Sequence, residues 1–153
     1  MAAHTYSFAD AQAAIAGPNG SFSIGNGAGP SEEGITVSYS DDIGSLTMGA
    51  DGYGMHSLHA ARNGTVTVRL LKTSPVNAML MDMYNNDISS SANYGKNTIS
   101  VRDPIRGDSI TASFCGFKKA PDAAFAKDGG TNEWTWNAAQ IDMKLGNGNP
   151  AAI

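Results

Sequence analysis

Two histidines, His56 and His59, come closest to a metal site by residue type and spacing. They stand three residues apart, with the carboxylate of Asp51 nearby in the chain. Two imidazoles joined by a carboxylate can hold a divalent metal. However, the spacing His-Glu-x-x-His, which marks zinc proteases, is not present. We therefore interpret both histidines as imidazoles of a loop or an interface and predict no metal.

Neither the cysteine nor the glycine-rich stretch indicates catalysis. Cys115 is the only cysteine, and it lies in an apolar run, whereas a nucleophilic thiol needs a lowered pKa and a neighbouring base. We predict a buried small hydrophobe there. Residues 25–30 lack the Lys-Ser/Thr ending of a phosphate loop, and no helix follows them. The sequence thus predicts no catalytic residue, no cofactor and no enzyme.

Composition favours one domain with a surface suited to assembly. The 153 residues fit a single domain spanning 1–153, with only 16% charged residues and 18 glycines. Few solubilising charges are a mild sign of association. The net charge of −4, with no basic block, argues against a stable nucleic-acid complex, which needs Lys and Arg to neutralise phosphates. An acidic surface would instead let DNA pass without adhering.

The N-terminal residues indicate synthesis in a reducing cytoplasm. Residues 1–16 show neither the charged region nor the apolar core of a signal peptide. No apolar run is long enough to span a bilayer, and a lone cysteine cannot form an internal disulfide.

Two segments alternate apolar and polar residues with the period of a half-buried strand, 34–40 and 65–71. Their apolar positions predict a core face. The other face carries small hydroxyls, which suit the wetted wall of a channel. These possible lumen-facing residues are Thr36, Ser38, Thr65 and Thr67, with Arg69 as the one charge. Which face would line a channel stays open, and Arg69 there would need an acidic neighbour.

The segment between these strands, residues 41–64, is too long for a hairpin turn. Residues 45–48 could extend a strand, but residues 49–54 are too rich in glycine to hold regular structure. A long loop in a compact domain is usually functional or disordered.

One helix is predicted at 75–85, with Ser74 as N-cap and Pro75 in the first helical position. Its apolar stripe at helical spacing is Val76, Met79, Leu80, Met83 and Tyr84. We expect this stripe to pack on a sheet, and Met81, which lies outside it, to face a neighbouring subunit.

The remaining strands are predicted at 5–16, 21–24, 97–101, 110–117 and 133–145. In the last, the apolar parity slips near Ala139 and Gln140, which predicts a β-bulge or sharp bend. Trp134 and Trp136 could be core or interface residues, and the tail 146–153 should be loose. The fold class is mainly β: an antiparallel β-sandwich or barrel of about seven strands with one flanking α-helix.

Several segments together resemble a known family. They read GPSEEGITV at 29–37, TMGADG at 47–52, MHSLH at 55–59, GTVTVRLLKTSPVN at 64–77 and GTNEWTW at 130–136. Their order and spacing resemble tail-tube structural proteins of contractile-tailed bacteriophages, over nearly the whole chain.

The resemblance implies a virion protein that works by assembly. Six subunits would form a ring, with strands joined edge to edge around a lumen, and rings would stack into a tube that conducts the genome. Its partners would be other copies of itself, the sheath protein, the tape-measure protein, and baseplate and tail-terminator proteins. Phage DNA would pass without specific binding.

The resemblance also implies that the segment 41–64 reaches the neighbouring ring. The residues expected in this contact are Asp41, Asp42, Leu46, Met48, Asp51, Tyr53, Met55, His56, His59 and Arg62.

Two other interpretations remain at this point. One is another virion structural or carbohydrate-binding β-sandwich module, with Trp134, Trp136 and Tyr53 as exposed stacking platforms. The other is a metal-dependent hydrolase that uses His56 and His59.

Overall fold

The computed structural model describes residues 3–27 and 29–148, with residues 30–33 described by their backbone alone. This part of the chain forms strands β1 (Gln12–Gly17), β2 (Gly20–Ser23), β3 (Pro30–Tyr39), β4 (Gly44–Met48), β5 (Gly54–Leu58), β6 (Gly64–Leu71), β7 (Asn97–Asp103), β8 (Asp108–Lys119) and β9 (Thr131–Lys144), and one helix, α1 (Val76–Ile88). Every strand pairing is antiparallel. The prediction of a mainly β antiparallel fold with one helix is confirmed.

Seven strands form one sheet in the order β2-β1-β7-β8-β9-β6-β3, and β4 and β5 form a separate two-stranded hairpin. We call the seven-stranded sheet together with α1 the body. Strands β2 and β3 are the outer strands of the sheet. Within the described residues, the sheet is therefore an open one with two edges.

The core of the body follows the predicted alternation. In β6 every second residue is buried, and Val66, Val68 and Leu70 are fully inaccessible to solvent. Trp134 and Trp136 in β9 also belong to this core, with relative exposures of 1% and 0%. Their burial settles the choice left open by the sequence.

The predicted phase slip in β9 is confirmed. Ala139 and Gln140 are both exposed between buried Ala138 and Ile141. Ala138 pairs with Gly64, whereas the Ile141 amide donates to the carbonyl of Arg62 at 2.8 Å. Three steps along β9 thus match two steps along the neighbouring segment, which is the count of a β-bulge.

Strand β8 bends at the same level. Its register against β7 shifts because Asn97 pairs with Cys115 but Ile99 pairs with Ala112. This shift leaves one extra residue in β8 between the two pairs. Phe114 lies in this stretch, with φ 54° and an exposure of 65%. A non-glycine residue in this left-handed region carries backbone strain. The two longest strands therefore turn a corner together, which lets a single sheet curve around one core.

The helix begins at Val76, one residue after the predicted start at Pro75. Pro75 has helical angles (φ −67°, ψ −17°), and the Ser74 hydroxyl accepts a hydrogen bond from the Val76 amide at 3.3 Å. The predicted apolar stripe is wrong at Met79, which is 47% exposed. The buried positions are Val76, Leu80, Met83 and Asp87. This buried stripe is narrower than predicted, and Met79 lies outside it.

The contacts of Asp87 explain why α1 extends to Ile88, beyond its predicted end at residue 85. Its carboxylate accepts hydrogen bonds from Asn97 Nδ2 at 2.6 Å and from Asn19 Nδ2 at 3.0 Å, and the residue is fully buried. A buried carboxylate needs such donors. These bonds fix the last turn of α1 to β7 and to the β1–β2 turn.

The strand predicted at 5–16 is wrong in its first half. Strand β1 covers only Gln12–Gly17, and a 3₁₀ turn at Phe8–Asp10 precedes it. The physical reason is a tertiary tie: the guanidinium of Arg106 donates to the Thr5 carbonyl at 2.7 Å and to the Asp10 carboxylate at 2.9 Å. These bonds hold the segment across the β7–β8 turn instead of in the sheet.

The start of the C-terminal tail is tied down. The Gly146 amide donates to Asp108 Oδ1 at 2.8 Å. Residues 149–153, the rest of the tail predicted to be loose, lie outside the described residues.

Candidate assembly surfaces

The segment 41–64 is a β-hairpin and not the irregular loop that we expected. The predicted strand at 45–48 is present as β4, and β5 at Gly54–Leu58 was missed. The two strands pair from Gly44 with Leu58 to Met48 with Gly54. Sequence periodicity missed β5 because neither face of the hairpin is buried in the body, so no apolar alternation marks it.

The hairpin exposes an apolar face. Directly paired residues project to the same side, so Leu46, Met48, His56 and Leu58 share one face. Leu46, Met48 and Leu58 are 57%, 58% and 80% exposed. The opposite face carries Ser45, Thr47 and Ser57 with Met55. Contiguous exposed apolar surface of this kind marks an interaction site.

The tip of the hairpin is a tight, hydrogen-bonded turn. The Gly49 amide donates to the Tyr53 carbonyl at 2.6 Å, and the Asp51 carboxylate accepts from the Tyr53 amide at 3.2 Å. Gly52 takes a left-handed conformation (φ 93°) that suits glycine. Tyr53 stands 80% exposed at this tip, so the apex presents an aromatic ring to solvent.

Hydrogen bonds close the base of the hairpin. Asp41 and Asp42 are exposed just before β4. The Ile43 carbonyl accepts from the His59 amide at 2.8 Å, and Arg62 donates from Nη1 to the His59 carbonyl at 3.0 Å. The structure thus brings all ten residues of the expected inter-ring segment into the hairpin and its base.

A second surface lies on the side of the sheet opposite to the core. Thr36 pairs with Thr67, which pairs with Thr135, and Ser38 pairs with Thr65. Since paired residues point the same way, these side chains form one hydroxyl face across β3, β6 and β9.

Arg69 lies on the same face and is neutralised there. Its Nε is 3.4 Å from Glu133 Oε2, and its Nη1 donates to Thr36 Oγ1 at 3.2 Å. Glu133 is therefore the acidic neighbour that Arg69 was expected to need on this face.

Two open strand edges form the third surface. Strand β3 has no partner on its outer side within the described sheet. The pairing of β8 with β7 ends at Cys115 with Asn97, so residues 116–119 pair only with β9. Tyr94 covers the start of this edge, because its ring lies against Gly116 and its hydroxyl donates to the Phe117 carbonyl at 2.6 Å. Lys118 and Lys119 remain as the open part.

Arg106 holds the N-terminal segment against the β7–β8 turn, a role that sequence patterns missed. It is 6% exposed and its Nη1 lies 2.9 Å from both Asp10 and Asp103. Burial alone would raise the pKa of Asp103, but the hydrogen bonds and charge of Arg106 outweigh burial and lower it. The spacing of Asp103 and Arg106, three residues apart across a turn, is the only sequence signal of this tie.

The structure does not bring the two histidines together on one side of the chain. His56 is in β5 opposite Leu46, and His59 follows the strand. An odd spacing along an extended chain sends side chains to opposite sides. Among residues 3–27 and 29–148, no group of three or more His, Cys, Asp or Glu side chains could hold a metal ion.

Cys115 is the buried small hydrophobe that the sequence predicts. It is fully buried, its Sγ donates to the Ala112 carbonyl at 3.4 Å, and burial raises the pKa of its thiol to about 11. A thiol with a raised pKa is a poor nucleophile at neutral pH.

The carbohydrate-binding interpretation loses its stacking platforms. Both tryptophans are buried, and they pack against Phe117 with ring centroids 5.9 Å and 5.2 Å away. Of the three expected platforms only Tyr53 is exposed.

Within residues 3–27 and 29–148, no helix has the length and apolar character that a membrane span requires.

The fold resembles that of chains from contractile injection systems. A chain in the sheath–tube complex of the extracellular contractile injection system PVC, in its extended state, aligns with TM-score 0.55, 14% identity and 88% coverage of both chains. A chain of the tube-terminating cap of the anti-feeding prophage gives TM-score 0.57 and 12% identity, covering 95% of this chain and 94% of the other. A chain of the PVC sheath/tube terminator gives 0.51 and 17%, covering 88% and 94%.

Sequence comparison assigns the family. Residues 2–146 match the family described as bacteriophage PhiTE tail tube protein, so this chain belongs to that family of phage tail tube proteins. Curated protein sequences give no match. The expected family is confirmed, and with it a structural role in a phage tail tube.

Proposed function

We propose that this protein forms six-subunit rings that stack into the inner tube of a contractile phage tail. The observation that carries this proposal is the four-strand run β3-β6-β9-β8, which is open along β3 on one side and at the end of β8, residues 118–119, on the other. Because each neighbour in the run is antiparallel to the last, β3 and β8 run in opposite directions. Rotation about a ring axis keeps strand direction, so β8 of one copy meets β3 of the next in antiparallel orientation.

Ring closure removes the hazard of exposed edges. Open strand edges invite uncontrolled pairing with other chains. A head-to-tail contact that closes under rotation pairs β3 of every copy with the open end of β8 of the next copy, so neither is left free. The ring would then be one large antiparallel barrel with four strands from each subunit.

The hydroxyl face would line the lumen. It offers hydroxyl groups to water, and its arginine is paired with Glu133. Lys119 pairs with Thr135 and so points to the same side, and its Nζ lies 3.4 Å from Asp122 Oδ1. A wall whose cations each have a carboxylate partner offers phosphates little free positive charge. The genome could therefore pass during ejection without specific binding.

The hairpin would carry the contact between stacked rings. It stands outside the core cluster and presents three large apolar side chains on one face. Burying such a face against the next ring would gain roughly 25 cal/mol per Å² of apolar area removed from water.

The proposed tube would have several protein partners. Sheath and terminator proteins would contact the tube, as the names of the similar PVC complexes suggest, and tape-measure and baseplate proteins would meet its inside and its end. The protein would be made in the host cytoplasm and end in the virion. We assign no reaction to it.

Electron microscopy of the purified chain tests this function. Negative-stain images should show rings with a central hole, or stacked tubes, at micromolar protein. A chain that stays monomeric at every concentration and ionic strength, with its fold intact by circular dichroism, would refute the proposal.

A further inference from the structure

Charged residues gather at one end of the four-strand run. Arg69 of β6 and Glu133 of β9 form an ion pair at 3.4 Å. In β3, Pro30 pairs with Leu70 and Ile35 with Val68, so the backbone of residues 31–34 stands against Arg69 alone. This bulged stretch of the open edge reads Ser-Glu-Glu-Gly. An acidic pair, Glu32 and Glu33, therefore occupies β3 at the level of Arg69.

The other open edge ends in basic residues two positions along the sheet from this level. Lys118 and Lys119 are exposed at the end of β8, and Lys119 pairs with Thr135, two residues from Glu133. Lys119, Asp122 and Glu133 line one hollow. Because β3 starts where β8 ends, the acidic pair and the basic pair lie at the same end of the sheet, on opposite edges.

The charges alternate across the four strands. They are acidic on β3, basic on β6 (Arg69), acidic on β9 (Glu133) and basic on β8 (Lys118 and Lys119). Of this row, Arg69 and Glu133 form an ion pair between neighbouring strands of one chain. The alternation has no break if the basic edge of one copy meets the acidic edge of the next. The same order then repeats around a closed ring.

We propose that Glu32 and Glu33 of one subunit pair with Lys118 and Lys119 of the next, and that this contact selects the partner edge in the ring. The proposal rests on the tube function above and adds the residues that decide which edges join. Opposite charges across an interface steer encounter and fix register, whereas like charges exclude wrong partners.

The lysine side of this contact is available in the free subunit. Lys119 Nζ lies 3.4 Å from Asp122 Oδ1, but these side chains are 73% and 87% exposed. An exposed pair this open to water contributes little and exchanges readily. Asp122 therefore does not prevent Lys119 from pairing with a residue of another subunit.

Two charge-reversed variants test the pairing. Glu32→Lys/Glu33→Lys makes both edges basic, and Lys118→Glu/Lys119→Glu makes both edges acidic. Each variant alone should lose more than about tenfold of its ring fraction by sedimentation velocity, since like charges now face each other. An equimolar mixture should recover rings, because the two variants can alternate around a ring with an even number of subunits.

Matched controls separate this contact from general charge effects. Lys96→Glu/Lys144→Glu and Asp82→Lys/Asp128→Lys make equal charge changes at exposed positions outside the two edges. They should form rings as the unchanged protein does. Circular dichroism on every variant checks that the fold is retained.

Three results would overturn the inference. They are rings formed by either reversed variant alone as well as by the unchanged protein, no recovery of rings in the mixture of folded variants, and an equal loss of rings in the controls. If the unchanged protein forms rings in these cases, the tube function stands and only the charge pairing fails. If the unchanged protein forms no rings, the tube function itself fails.

Discussion

The body and the hairpin consist of the same kind of antiparallel strand but differ in what stabilises them. In the body, β6 buries every second residue, and the inner side chains form one core with α1. In the hairpin, β4 is exposed throughout and β5 has only Ser57 half-buried. An isolated two-stranded hairpin is marginally stable in water. The chain therefore folds through the body, and we propose that a partner stabilises the hairpin.

Removing the hairpin would test this division most severely. Replacing residues 44–58 by Asn-Gly between Ile43 and His59, whose backbones are already hydrogen-bonded, should abolish ring stacking. Body stability should change by less than about 1 kcal/mol, because the cut removes no core residue. Electron microscopy and urea unfolding measure the two effects. The cut spares Arg62, whose carbonyl accepts from the Ile141 amide.

Substitutions on the two hairpin faces give the matched control. Leu46→Ser/Leu58→Ser should reproduce the loss of stacking, and Ser45→Ala/Ser57→Ala on the other face should not. Normal tubes from the first variant would show that the apolar face is not the inter-ring contact.

A core substitution should show the reverse pattern. Trp136 is fully buried against Phe117, so Trp136→Ala should lower the free energy of unfolding by about 3–5 kcal/mol. Urea unfolding followed by circular dichroism measures the loss. A loss below about 1 kcal/mol would mean that the body does not depend on its aromatic core.

Acid should weaken the body at the N-terminal tie. The folded-state pKa of Asp103 is lowered, so its contribution is full above the unfolded pKa of about 4 and is lost as pH falls through the folded value. Below about pH 4, the unchanged protein should therefore lose stability more steeply than Asp103→Asn. Chemical unfolding at a series of pH values gives the two curves, and parallel curves would contradict the assignment.

The smallest effect is expected at the ion pair on the hydroxyl face. Arg69 and Glu133 are 25% and 60% exposed, and exposed pairs contribute roughly 0–1 kcal/mol. Glu133→Gln should therefore leave the unfolding midpoint nearly unchanged. A large loss would mean that this face contributes to the body more than its exposure suggests.

The parts of the molecule that sequence patterns predicted are those with one buried face. Strand β6 and the bulge near Ala139 show in the alternation because burial imposes it. Strand β5 could not be predicted, since both of its faces meet solvent in one chain. Asp87 and Arg106 escaped prediction because their burial depends on partners distant in sequence, Asn19 and Thr5.

The candidate site divides in the same way. The hydroxyl face was predictable from alternation in β3 and β6 alone. The open end of β8 was not, because it depends on where β7 stops pairing, at Asn97. Met79 was placed wrongly since helical spacing gives the direction of a stripe but not its width.

Hydrogen exchange, compared between free subunits and assembled tubes, shows whether a neighbouring ring covers the hairpin. Amides of Gly44–Leu58 and of the two open edges should exchange much more slowly in tubes, whereas amides of β6 should change little because they are already protected in the body. Hairpin amides that exchange equally fast in both states would contradict the claim that a neighbouring ring covers the hairpin.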